Sequence, residues 1–256
     1  MTYEFVETHR DGAVLTVVLS RPERLNALHA PAHVELAEVF DKFEQDPTLR
    51  AAIIRGTGRA FCAGNDLKWQ AQGGSMERPA TGFAGLTLRH NRTKPVIVEV
   101  NGLAFGGGCE IVLAADLAVV AASARFGLTE VRYGLVPLAG LHLLPRRIAL
   151  KDAMYMLLTG RVISSAEALR MGLVNEVVPD EQVTERAQTY AKWIVEASPQ
   201  AIAACMELIR QGLRFQDVSE AMTAPAPALE KLRAGEDFAE GPRAFAEGRK
   251  PKWAGA

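Results

Sequence analysis

A chain of 256 residues, 48% apolar and 23% charged, can bury a sizeable core in one large domain or a domain with an appendage, and its composition excludes a disordered or fibrous protein. A formal net charge of -1 leaves no whole-molecule field to hold a polyanion, so nucleic acid is not an expected partner. The three cysteines, Cys62, Cys109 and Cys205, are odd in number and far apart, which fits a reducing, cytoplasmic setting better than a secreted disulfide framework.

The opening "MTYEFVETHRDG" carries acids where a signal peptide needs a basic flank and an apolar run. "AVLTVVL" (13–19) predicts the first buried strand, and "PAHVELAEVFDKFEQD" (31–46) predicts a helix with Val34, Ala37, Phe40 and Phe43 on its apolar face. A second strand, "AAIIRG" (51–56), runs into "GRAFCAGNDLK" (58–68): a strand end, small residues, then a polar turn with open backbone. "AQGGSMERPATGFAGL" (71–86) reads as a mobile loop with room for a short helix. After the strand "VIVEV" (96–100), "NGLAFGGGCE" (101–110) sets three glycines before a helix that carries Glu110 in its first turn. Glycines there suit either a tight strand-to-helix crossing or the exposure of backbone amides to an anion.

"DLAVVAA" (116–122) predicts another strand; the apolar stretch containing it is too short to cross a membrane and is broken by Asp116. Glu130 follows in "FGLTEVRYGLVP", among Phe126, Leu128, Val131 and Leu135. By itself it fits a surface loop residue, or a carboxyl whose pKa rises in apolar company. "LVNEVV" (173–178) is the last strand, and from about Asp180 the pattern is helical, divided at Pro199 and Gly212. Strands alternating with helices give an α/β fold, with residues 1–195 as the body and 196–256 as a helical appendage whose apolar faces pack on the body or on another subunit.

No phosphate-binding Gly-Lys-Ser/Thr loop, Gly-x-Ser-x-Gly elbow or His-Glu-x-x-His pair occurs. Of the five histidines, His29 and His33 alone stand four apart, and they straddle a helix start, so no metal is expected. The cysteines lack a nearby histidine and read as structural thiols. Carboxylates and glycine turns remain. Two turns, each presenting one N–H to a shared oxygen, are the parts of an oxyanion hole.

"RPERLNAL" (21–28), "AFCAGNDLK" (60–68), "NGLAFGGGCEIVLAADLAVVAASARFGLTEVRYGLVP" (101–137), "LTGRVISSAEALRMGLVNEVV" (158–178) and "AFAEGRKPKW" (244–253) resemble, in order, the signatures of the crotonase, or enoyl-CoA hydratase, superfamily. The resemblance implies a spiral of strand-strand-helix turns with a C-terminal helical region that builds homotrimers or homohexamers. It implies an acyl-CoA thioester substrate, coenzyme A being part of that substrate and no separate cofactor being needed. The implied oxyanion donors are the amides of Asn65 and Gly107; the implied catalytic pair is Glu110, activating the water that attacks Cβ, and Glu130, protonating Cα. Coenzyme A contacts are implied at Arg24, Leu25, Ala63, Asp66, Leu67 and Lys68, with Lys250 a phosphate partner.

The expected activity is an acyl-CoA lyase, an enoyl-CoA hydratase adding or removing water across the 2,3 double bond. The alternatives are a dehydratase or racemase-like relative acting on a hydroxylated or carnitine-type acyl-CoA, and a non-catalytic acyl-CoA-binding relative. Two departures from the family pattern bear on this. "PLAGLHLLPRR" (137–147) is one glycine short and has leucine where an arginine often stands, close to Glu130; Asn65 replaces a frequent alanine and brings an amide side chain toward the acyl pocket.

Overall fold

The computed structural model describes residues 3–254. Ten strands and eleven α-helices lie among them. The chain begins with β1 (Val6–Asp11), β2 (Val14–Leu19), α1 (Ala30–Gln45), β3 (Ala51–Gly56), β4 (Ala60–Cys62) and α2 (Leu67–Ala71). It continues through β5 (Val96–Val100), β6 (Leu103–Phe105), α3 (Gly107–Ala114), β7 (Leu117–Ala121), β8 (Arg125–Gly127), α4 (Leu138–Leu143) and α5 (Leu150–Thr159). Next come β9 (Ile163–Ser164), α6 (Ser165–Met171), β10 (Glu176–Val178) and α7 (Val183–Glu196), and finally α8 (Pro199–Gly212), α9 (Val218–Thr223), α10 (Pro227–Ala234) and α11 (Glu236–Ala246).

Two sheets organise the body. The larger runs β1-β2-β3-β5-β7-β10 and the smaller β4-β6-β8-β9; β1 with β2 and β8 with β9 are antiparallel, and the other pairs are parallel. The pairs β3/β4, β5/β6 and β7/β8 each pass from the larger to the smaller sheet within two or three residues, which is the strand-strand-helix spiral the resemblance implies. The central strands β3 and β5 are covered on both faces, which is why "AAII" and "VIVEV" read as continuous apolar runs and not as alternation. α7 lies across β3, β5 and β7, whereas α8 to α11 pack mainly on one another. No helix among the described residues is long and apolar enough to cross a membrane.

The structure corrects three local readings. In α1 the buried stripe is Ala32, His33, Leu36, Val39, Phe40 and Phe43, while Val34 is 61% exposed; the helical period holds but the face is turned, because His33 packs edge-on against Phe83. The third helical stretch of the tail is broken into α9, α10 and α11 at Pro225, Pro227 and Gly235. β1 is an additional strand: its side chains are almost all exposed, so no buried run announces it.

Candidate active site

α3 begins at a sharp exit from β6. Gly106 adopts φ 53° and ψ -124°, a left-handed conformation that side chains disfavour, and a methyl group built there would stand 3.1 Å from Glu130 Oε1. The turn thus brings the backbone of the glycine triplet directly against the second glutamate. One helical turn on, Glu110 is only 3% exposed, held on α3 by its amide, which donates to the Gly106 carbonyl at 3.0 Å.

The carboxyl of Glu110 meets the start of α4. The amides of Ala139 and Gly140 both donate to Glu110 Oε1 at 2.9 Å. The "PLAGLHLLPRR" segment therefore bears on Glu110 and not only on Glu130. Burial raises the pKa of Glu110; the Gly140 amide, the Arg78 charge and the Ala139 amide pull the other way. Glu130 opens the 3-10 turn Glu130–Tyr133, and its buried Oε2 has no hydrogen-bond partner. Burial pushes it up to about 7, opposed by its own backbone amide, with the Glu110 charge adding to the rise and Arg78 lowering it. Burial thus lifts both carboxyls, with two amides from α4 offsetting it at Glu110 and no donor reaching Oε2 of Glu130. The two carboxyls therefore sit in unlike hydrogen-bonding surroundings.

The second glycine turn stands beside the first. A methyl group on Gly64 would lie 3.0 Å from the Gly107 nitrogen, so the Ala63–Asn65 turn and the head of α3 are in contact. In the isolated parallel bridge between Leu28 and Asn65, Leu28 donates to the Gly64 carbonyl at 2.8 Å and Asp66 donates to the Leu28 carbonyl at 2.9 Å, leaving the Asn65 amide facing the other way. The Gly107 amide begins a helix and has no partner within it. Neither N–H donates to a protein acceptor among the described residues. On the far side of Gly107 the space for a side chain is filled by the buried ring of Phe83.

The first signature supports this arrangement. Leu25 and Asn26 both adopt left-handed conformations, φ 53° and 55°, and the Ala63 amide donates to the Leu25 carbonyl at 3.0 Å. Buried Asn26 accepts from the Arg21 amide at 2.9 Å and donates to the carbonyls of Thr57 and Ala60 at 2.9 and 2.8 Å, locking the 21–28 turn to the approach of β4. Asp66 caps α2 through the Trp69 amide at 3.0 Å and pairs with Arg21 Nη2 at 3.0 Å. Burial pushes the Asp66 carboxyl up, but the Trp69 amide and Arg21 outweigh it and hold it below its ordinary value. Its carboxylate is thus committed to the protein, while Arg24, Leu67 and Lys68 are exposed at the rim. Lys250 follows α11 and is exposed beside the C-terminal helices.

Sequence reasoning passed over several positions that touch the candidate site residues: the Ala139 and Gly140 amides, the Phe83 ring, the Asn26 latch, and Arg78, whose Nη2 donates to Asn65 Oδ1 at 3.3 Å. Backbone amides leave no trace in residue types, but a lone arginine inside a Gly/Pro-rich loop was a visible signal. The thiols of Cys62 and Cys109 are buried and pushed up, Cys62 by burial to about 12, Cys109 by burial and both glutamates. Both are buried, the setting of structural thiols. His33 is held down to about 3 by burial, with Arg78 and His29 adding, and its Nδ1 accepts from the Ala84 amide at 3.1 Å. A separate cavity of about 1330 Å³ between the body and α8 is lined by neither glutamate.

Two largely buried carboxyls and two amides without a protein acceptor therefore lie around the head of α3. Residues 9–256 match the model of a family described as enoyl-CoA hydratase/isomerase. Proteins named carnitinyl-CoA dehydratase are 42% identical over 251 residues in Proteus mirabilis (strain HI4320), covering 95% of this chain and 96% of the relative, and 42% identical over 260 residues in Escherichia coli (strain K12), covering 98% and 99%. The crystal structure of an enoyl-CoA hydratase from Mycobacterium tuberculosis H37Rv superposes with a TM-score of 0.92 at 35% identity, covering 98% of this chain and 99% of that one. An enoyl-CoA hydratase from Bacillus anthracis gives 0.90 at 32% identity, covering 99% and 100%.

Proposed function

The chain belongs to the enoyl-CoA hydratase/isomerase family, and from that premise we propose that it is a hydro-lyase adding water syn across, or removing it from, the 2,3 double bond of an acyl-CoA thioester. The thioester carbonyl oxygen sits between the amides of Asn65 and Gly107, which stabilise it as enolate charge develops; one such donor is worth roughly 3 to 4 kcal/mol of barrier. Glu110, favoured in its charged form by two amides, takes the proton of the attacking water. Glu130, neutral up to about pH 7, delivers a proton to Cα. The observation that carries this reading is the division of proton affinity: two amides on Glu110 and a bare, buried oxygen on Glu130.

Coenzyme A runs along the Leu25 and Ala63 turns, with Leu67 at the rim and Arg24 and Lys68 beside the phosphates. Asp66 acts by fixing the turn. Lys250 reaches a phosphate from the C-terminal helices. No metal or separate cofactor enters the scheme. The chain divides near residue 196 and assembles as a homotrimer or homohexamer, a reading supported by the exposed Ile209, Leu213, Val218, Met222 and Phe245 on the tail and checked by sedimentation.

A second reading is favoured by the carnitinyl-CoA dehydratase relatives: the same chemistry run as elimination from a 3-hydroxy thioester that carries a quaternary ammonium. Absorbance of the conjugated thioester separates the cases. Loss on adding crotonyl-CoA supports hydration of plain enoyl chains; a gain from a carnitine-type thioester with none lost from crotonyl-CoA supports the second reading; tight binding with neither defeats both.

A further inference from the structure

The loop before Phe83 places a guanidinium where neither reading needs one. Arg78 Nη2 donates to Asn65 Oδ1 at 3.3 Å, and its Cζ stands 5.3 Å from the centroid of the Phe83 ring. The same ring fills the space beside Gly107. The guanidinium therefore touches Asn65 and the ring that packs on Gly107. It is half-buried, and no carboxylate among the described residues comes within salt-bridge distance of it. Of its five N–H donors, a single one is engaged by a protein acceptor among those residues. Its charge is nevertheless felt at Glu110, Glu130 and His33, so it faces the recess and not the solvent alone.

A planar, permanently charged fork with donors to spare, resting on an aromatic face, is built to grip a carboxylate bidentately. Asn65, the side chain that holds it, is where the sequence departs toward polarity. We propose that Arg78 is a specificity residue which binds a carboxylate at the far end of the acyl group, so that the preferred substrate is the enoyl thioester of a dicarboxylic acid. The same charge repels an acyl group ending in trimethylammonium. This inference rests on the hydro-lyase reading above and adds the substrate class to it.

The test compares kcat/KM for glutaconyl-CoA, whose acyl chain ends in a carboxylate, crotonyl-CoA, which ends in a methyl, and the analogue ending in trimethylammonium. The parent protein is expected to favour glutaconyl-CoA over crotonyl-CoA by about 10- to 100-fold, the range of a charge-assisted hydrogen bond, and to place the cationic analogue last. In Arg78→Met the ratio of glutaconyl-CoA to crotonyl-CoA collapses toward one; in Arg78→Lys, which keeps the charge but loses the fork, part of it survives. A parent that handles crotonyl-CoA or the cationic analogue at least as well as glutaconyl-CoA overturns the inference while leaving the hydro-lyase reading standing. So does Arg78→Met if it lowers both rates equally, because that is the mark of a residue serving the enolate or the loop. Turnover of none of the three defeats the hydro-lyase reading and this inference with it.

Discussion

Replacing Glu130 with glutamine moves stability and activity in opposite directions. The folded carboxyl holds its proton up to about pH 7, whereas an ordinary glutamate releases it near 4.5, so between those values the folded state binds more protons than the unfolded. The stability this contributes is fully present below 4.5 and lost as pH rises through 7. At 1.36 kcal/mol per pH unit the gap corresponds to about 3 kcal/mol. Solvent screening of a half-buried side chain reduces this to about 1–2 kcal/mol. At pH 8 the parent carries a charge on a buried oxygen with no donor, and the neutral amide of Glu130→Gln removes it. The variant's Tm at pH 8 should exceed the parent's by roughly 2–6 °C, a difference that shrinks toward zero at pH 5. Hydration should fall about 10²- to 10⁴-fold. Calorimetry at the two pH values, at fixed protein concentration, with kcat measured on the same samples, checks both. A variant no more stable than the parent at pH 8 would refute the desolvated carboxyl, whatever its activity.

In Gly107→Ala the new methyl group would come within 2.6 Å of Phe83 Cε1, so ring and helix start must separate; kcat should fall about 10²- to 10³-fold with KM less affected, alongside about 1–3 kcal/mol of lost stability. A lower Tm with a normal kcat per folded site would remove this amide from the oxyanion pair. The pH-rate profile of the parent should lose activity above about 7 as Glu130 ionises, and Ala139→Pro, which deletes one donor to Glu110, should move the acid limb to higher pH; an unmoved acid limb argues against Glu110 as the base. Asp66→Ala removes the ion pair to Arg21, which keeps its bond to the Ala27 carbonyl, and uncaps α2; it should cost about 1–3 kcal/mol in denaturant unfolding while raising KM for the thioester. An unchanged midpoint and KM would show that the turn needs neither contact.

β2, β3, β5 and β7 were legible because burial demands β-branched runs, and the motifs around Glu110 and Glu130 singled out two carboxyls that the fold brings to the glycine turn at the head of α3. The strands of the smaller sheet were not. β4, β6 and β8 are three residues each, too short for any period to register. β1 was hidden by its exposed side chains, although Asp11-Gly12 is a hairpin signal that marks it. The support of Glu110 comes from α4 amides 29 and 30 residues further along the chain, a relation that only packing creates. Arg78 stood in plain view in a loop, and its meaning came only when the loop folded over Asn65 and Phe83.

The claim that both carboxyls act as one unit on one water is tested most directly by kcat for Glu110→Gln, Glu130→Gln and the double variant on the best thioester of the panel. Groups that work as a unit are not additive: once either is gone, removing the other costs little more. The account predicts that each single variant loses at least about 10²-fold and that the double variant falls within about tenfold of the weaker single. Losses that multiply in the double variant, or a single variant that retains activity within a few-fold of the parent, would contradict it.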